Sequence, residues 1–180
     1  ESEQWPALTG VHTVLLTALA YGLRNRLNLI HAAICFFISI GGTMSYLADW
    51  GAYSLHISSP LRFLGIGIGV LGLAWLHAKR VALAFQPFAR VYAHLGLLLI
   101  HLSLWFLALF GNFEDTPDWG GDKAERLVFT VVWGVVSVLS LWLAGVLGQR
   151  VLRGYGLTFL IINVYTFYFQ FVVPETGELW

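Results

Sequence analysis

Six stretches of about twenty residues carry apolar side chains with no charge in their middle. They run from about Ala7 to Leu23, Asn28 to Trp50, Pro60 to Ala78, Val91 to Asn112, Glu125 to Gly148 and Gly154 to Val173. A helix rises 1.5 Å per residue, so roughly 20 apolar residues cross the ~30 Å hydrocarbon core of a bilayer. Charges are costly at that depth and collect at helix ends and loops, as they do here. Membrane β-strands would need strict alternation over about ten residues. Continuous runs such as Leu97-Leu98-Leu99-Ile100 break that pattern. The expected fold is therefore all-α: one polytopic transmembrane bundle of about six helices over residues 1–180.

Composition excludes the alternatives. Charged residues make up 11% of the chain, against about 25% in soluble proteins. A disordered chain needs few apolar residues and many charges, whereas 58% of this one is hydrophobic. A formal net charge of zero leaves no basic footprint for nucleic acid. The single cysteine, Cys35, forms neither an internal disulfide nor a paired-cysteine metal site and reads as a small buried side chain.

Zero net charge hides a segregation. The connections after the first, third and fifth stretches carry Arg24, Arg26, Lys79, Arg80, Arg90, Arg150 and Arg153, and no acid. The opposite side carries Arg62, Lys123, Arg126 and all ten acidic residues. Excess Lys and Arg in short loops marks the cytoplasmic face. Loops 24–27, 79–90 and 149–153 are thus expected in the cytoplasm, with both termini outside, in the periplasm if the membrane is a bacterial inner membrane. Trp5, Trp50, Tyr53, Trp119 and Trp180 fall near the outer interface, where amphipathic rings prefer to sit. The chain opens on Glu1 with no leader pattern, so it is expected to be part of a longer product.

Two connections have room for structure of their own. Lys79 to Arg90, with Phe85, Pro87 and Phe88, reads as a short segment lying on the membrane interface. Phe113 to Lys123 reads as an exposed loop. Its acidic run from Glu114 to Asp122 lacks the spacing of a calcium-binding loop and is expected to be solvated.

The third helix carries Gly65-x-x-x-Gly69 with Gly72 one turn on. Such a face lets a neighbouring helix approach closely, in this chain or another copy. Gly134, Ser137, Ala144 and Gly148 could do the same on the fifth. The match of Gly67-x-Gly69-x-x-Gly72 to a dinucleotide fingerprint lies inside an apolar span with no strand before it, and carries no weight.

Six histidines are the main chemical lead. His12 and His56 fall towards the outer side, His31, His77 and His94 near inner helix ends, and His101 at mid-membrane. Haem ligation needs two imidazoles at one depth on facing helices, which His31 and His94 could supply. The competing reading places the inner histidines among the Arg and Lys headgroup contacts, so no cofactor is predicted. On the sixth helix Asn163, Thr166 and Gln170 share a face, with Asn163 near the depth of His101. They form either a polar cavity for a substrate or proton, or interhelical hydrogen bonds. No catalytic pair of carboxylates and no Ser/His/Asp arrangement is found.

The Asn163-x-Tyr165-Thr166-x-Tyr168-Phe169 core resembles a segment of predicted bacterial multi-helix inner-membrane proteins of unknown function. That family has a basic residue after Tyr-Thr and an acid after Tyr-Phe, where Phe167 and Gln170 stand here. The resemblance covers about twenty residues, implies a bacterial polytopic membrane protein, and brings no activity. There is also an internal echo between Tyr21-Gly22-Leu23-Arg24 and Leu147-Gly148-Gln149-Arg150.

The leading functional expectation is a noncatalytic accessory subunit or membrane module, with the bilayer and other membrane subunits or further copies of itself as partners. A transporter domain with a polar site near His101 and Asn163 is the alternative, and a haem-binding electron-transfer subunit the third.

Overall fold

All regular structure among the described residues, 5–39, 59–81, 83–112 and 123–173 of the computed structural model, is helical. The helices are α1 (Trp5–Leu23), α2 (Arg26–Ser39), α3 (Ser59–Lys79), α4 (Gln86–Phe110), α5 (Lys123–Leu147) and α6 (Arg150–Phe167). A single 3-10 turn, Leu83–Phe85, precedes α4, and a widened π turn, Tyr168–Val172, continues α6. Four are long and apolar enough to cross a membrane: α3, α4, α5, and α6 with its π turn. The helices α1 and α2 are apolar but shorter as described. The expected extension of the second helix to Trp50, together with His56 and the acidic loop 114–122, lies outside the described residues.

Two tight connections share one geometry. Gly148 takes a left-handed φ of 64°, and the Gln149 N–H reaches back to the Ala144 carbonyl at 3.2 Å. This is the 6→1 closure of a Schellman end, which satisfies a helix-terminal carbonyl. Between α1 and α2 the same closure runs from the Asn25 N–H to Ala20 at 2.9 Å, with Arg24 at φ 52°. The Asn25 side chain then accepts from the Leu27 N–H at 2.9 Å and caps α2. The echo between the two connections therefore holds two residues later than the sequence match suggests, pairing Leu23-Arg24-Asn25-Arg26 with Leu147-Gly148-Gln149-Arg150. An arginine at left-handed φ is strained by about 1–3 kcal/mol. Arg24→Gly relieves that strain but raises the entropy of the unfolded chain. A net stabilisation of up to about 1 kcal/mol is expected from an unfolding titration in micelles, and a loss would refute the strain.

Two expected loops are corrected. The segment read as lying on the interface becomes the 3-10 turn and the first turn of α4, which starts at Gln86 and not near Val91. Pro87 is no obstacle there, since first-turn N–H groups have no partner within a helix. Phe88 is buried against Ala20 and Leu29 rather than laid on a surface. Likewise α6 starts at Arg150, not Gly154. The four residues up to Arg153 look like a loop because they carry charge, but long cationic side chains at a helix end extend to water.

The chain divides into two compact units, Glu1–Ser59 with Ile68–Gly96, and Pro60–Gly67 with Leu97–Trp180. In the first, α1 packs on α2, and Ala20, Leu29 and Phe88 form a core joined by Tyr21, Phe85, Val91 and Tyr92. In the second, α5 and α6 form a packed hairpin. On α5 the buried positions are Thr130, Trp133, Ser137, Ser140 and Ala144, alternating three and four residues apart as in a coiled-coil seam. The outward face carries Val128, Val131, Val135, Val138, Trp142 and Val146. The small and hydroxylated residues are inside and the valines outside. That inversion suits a helix in lipid, where burial of apolar surface no longer drives packing. Thr130 and Ser140 satisfy their hydroxyls by donating to the carbonyls of Arg126 and Val136 one turn back.

Candidate functional site: a polar core between the second-unit helices

His101 is fully buried on α4. Its imidazole stacks on Phe159 of α6, with centroids 4.6 Å apart and planes 7° from parallel, and more distantly on Tyr155. Trp133 of α5 donates its indole N–H to His101 Nδ1 at 3.2 Å. An indole only donates, so Nδ1 accepts and the ring hydrogen sits on Nε2. His101 Nε2 is buried and has no hydrogen-bond partner among the described residues. The Ser137 hydroxyl, one turn along α5 from Trp133, is in the same state. Groups of this kind are costly in an apolar interior.

The polar face of α6 is distributed between two neighbours. Asn163 donates from Nδ2 to the Thr130 carbonyl of α5 at 2.9 Å. Thr166 accepts from the Trp105 indole of α4 at 3.2 Å. Gln170, in the π turn, donates to the Leu109 carbonyl of α4 at 3.2 Å. All three residues thus form interhelical hydrogen bonds. No hydrogen bond joins His101 to Asn163, but both bond to α5 within one turn, at Trp133 and Thr130. The partners missing from the sequence reading are indoles and backbone carbonyls, which a search for ionisable residues passes over.

Close helix approach occurs at glycines of this unit. A Cβ on Gly156 would lie 2.9 Å from the Ser137 carbonyl oxygen and 3.0 Å from the Leu141 nitrogen. A Cβ on Gly134 would lie 3.1 Å from Asn163 Oδ1. By contrast, Cβ atoms on Gly65, Gly69 and Gly72 would meet nothing within 4 Å among the described residues. Gly148 serves the turn rather than a helix contact.

Asn163 and Gly134 also form the floor of an outward-facing cleft of about 390 Å³ between α5 and α6. Its walls are Thr130, Val131, Val135, Val138 and Leu139 from α5, with Leu160 and Phe167 from α6. Asn163 Oδ1 accepts no hydrogen bond among the described residues.

His31 and His94 stand on exposed faces of α2 and α4. His12 is exposed, with Nδ1 2.8 Å from the Leu8 carbonyl. No group of three His, Cys, Asp or Glu side chains gathers as a metal site among the described residues.

His77, in the first unit, is buried and organised in a way its sequence position does not reveal. Its Nδ1 is 2.8 Å from the Leu73 carbonyl, which can only accept. With the hydrogen on Nδ1, Nε2 of the neutral ring accepts from the Tyr21 hydroxyl at 2.6 Å. The Tyr21 proton is then committed, so the Tyr92 hydroxyl donates to Tyr21 at 2.9 Å. Rings of Phe85 and Phe88 close around Tyr21 at 5.4 and 5.1 Å. The tyrosines stand 56 and 71 residues from their partners, so no local spacing signals the cluster.

Comparison of the chain with models of protein families, with curated proteins and with solved structures finds no match.

Proposed function

We propose that the chain is a noncatalytic integral-membrane module that recruits a transmembrane helix of another subunit into the α5–α6 cleft. The observation that carries this reading is Asn163 Oδ1, an acceptor without a donor at the floor of a largely apolar groove. Within hydrocarbon such a group has no water to bond. A helix presenting a hydroxyl, amide or indole N–H at that depth would satisfy it, and Gly134 leaves room for close approach. The engagement of Thr166 and Gln170 in interhelical bonds supports a packing role for the polar face of α6. The membrane is inferred to be a bacterial inner membrane with loops 24–27, 79–90 and 149–153 in the cytoplasm. Their seven basic residues and lack of acids support that orientation.

The test is a photocrosslinking residue at Val135 in the cleft, with Val128, two turns away on the same outward face of α5 but outside the cleft, as the control site. A single polypeptide adduct is expected from Val135 and none from Val128. Asn163→Leu should weaken the adducted complex about 3- to 30-fold, the worth of one interhelical hydrogen bond. Val135→Trp, which fills the cleft and spares Asn163, should abolish it. Adducts to lipid alone, to a second copy of the chain, or equally from both sites would overturn the proposal.

A further inference from the structure

Five cations converge at one end of the first unit. Arg24 lies three residues beyond Tyr21, Lys79 and Arg80 two and three beyond His77, and Arg90 two before Tyr92. Arg26 opens α2 after the turn that Arg24 makes. The hydrogen bonds from Tyr21 to His77 and Tyr92 tie the end of α1, the end of α3 and the start of α4 together. These three helix ends are therefore held as one basic rim. All five cationic side chains are exposed. None makes an ion pair or side-chain hydrogen bond among the described residues, and no acid occurs among the described residues of this unit.

Like charges held together by a rigid aromatic knot repel one another, and an anion relieves that repulsion. The surface around them tells which anion. Leu23, Leu27 and Leu76, interleaved with the basic residues, are 68%, 72% and 40% exposed. A free phosphate would leave these side chains uncovered, whereas a lipid covers them with its acyl chains. We propose that this basic rim is a binding site for the phosphate headgroup of an anionic phospholipid, with the Tyr21–His77–Tyr92 triad as the strut that positions the cations. The reading is independent of the α5–α6 cleft.

The chain is placed in nanodiscs of phosphatidylcholine with or without phosphatidylglycerol, and retained lipid is counted by native mass spectrometry. Phosphatidylglycerol should be retained in preference to phosphatidylcholine. Arg26→Gln and Arg90→Gln should each lower its apparent affinity about fivefold, the worth of one cation near an anionic surface. Tyr21→Phe leaves the charge unchanged and should also lower the affinity, with Tyr92→Phe as a second probe if that variant does not fold. Arg150→Gln combined with Arg153→Gln should leave it unaltered. Equal retention of both lipids, displacement by millimolar inorganic phosphate, full retention in the tyrosine variants, or an equal loss in the Arg150 and Arg153 variant would each overturn the assignment.

Discussion

Trp133→Ala is expected to destabilise the second unit by about 3–5 kcal/mol, as large aromatic truncations in packed cores do. Trp133 is fully buried and meets Phe159 edge-on at 6.3 Å. Its indole N–H is the donor to His101 Nδ1. Two losses are therefore superposed, and Trp133→Phe separates them. Phenylalanine retains most of the ring volume and removes the donor, so its cost should be about 1–2 kcal/mol. His101→Phe should carry a comparable cost, because it leaves the indole N–H unpaired while removing the unpartnered Nε2. The double variant, Trp133→Phe with His101→Phe, should then be less destabilised than the sum of the singles. Unfolding titrations in mixed micelles, followed by circular dichroism, measure all four. Strict additivity would show that the indole–imidazole bond contributes nothing.

Gly156→Ala should cost about 1–3 kcal/mol despite adding a single methyl group. The Leu141 side chain, 2.9 Å away, could shift, but the Ser137 carbonyl and the Leu141 nitrogen are backbone and cannot swing aside. The hairpin must open along its length to admit a Cβ. Gly65→Ala is the matched comparison, since its Cβ meets nothing within 4 Å among the described residues. It should be neutral or slightly stabilising through helix propensity. The same micelle titration applied to both distinguishes a steric role from a conformational one. Equal effects at Gly65 and Gly156 would refute the close-packing account of the α5–α6 pair.

The apolar spans were legible because a bilayer demands length and the absence of charge, both countable along a chain. The starts of α4 and α6 were not, since Pro87 and Arg150 to Arg153 look like loop residues and are tolerated in a first helical turn. The shared face of Asn163, Thr166 and Gln170 followed from helical periodicity. Its division between α4 and α5 did not, because two of its partners are backbone carbonyls that any residue type supplies. Gly156 was missed for a related reason. Spacing identifies a smooth helix face such as Gly65 and Gly69, but which glycine meets a backbone depends on the crossing point of two helices. The Tyr21–His77–Tyr92 triad joins three separate helices, and one-dimensional pattern carries no trace of it.

The seam of α5 has an evolutionary consequence. In a water-soluble protein, drift is freest at polar surface positions and slowest at large apolar ones. Here Val128, Val132 and Val146 are exposed and lie outside the α5–α6 cleft, so an exchange there among valine, isoleucine and leucine costs little in lipid. Thr130, Ser137, Ser140 and Ala144 are fixed by size, and a single added methylene there must displace a neighbouring helix. Hydrophobicity would thus be the variable property of this helix and smallness the inherited one, so descendants are best traced by where their small residues fall.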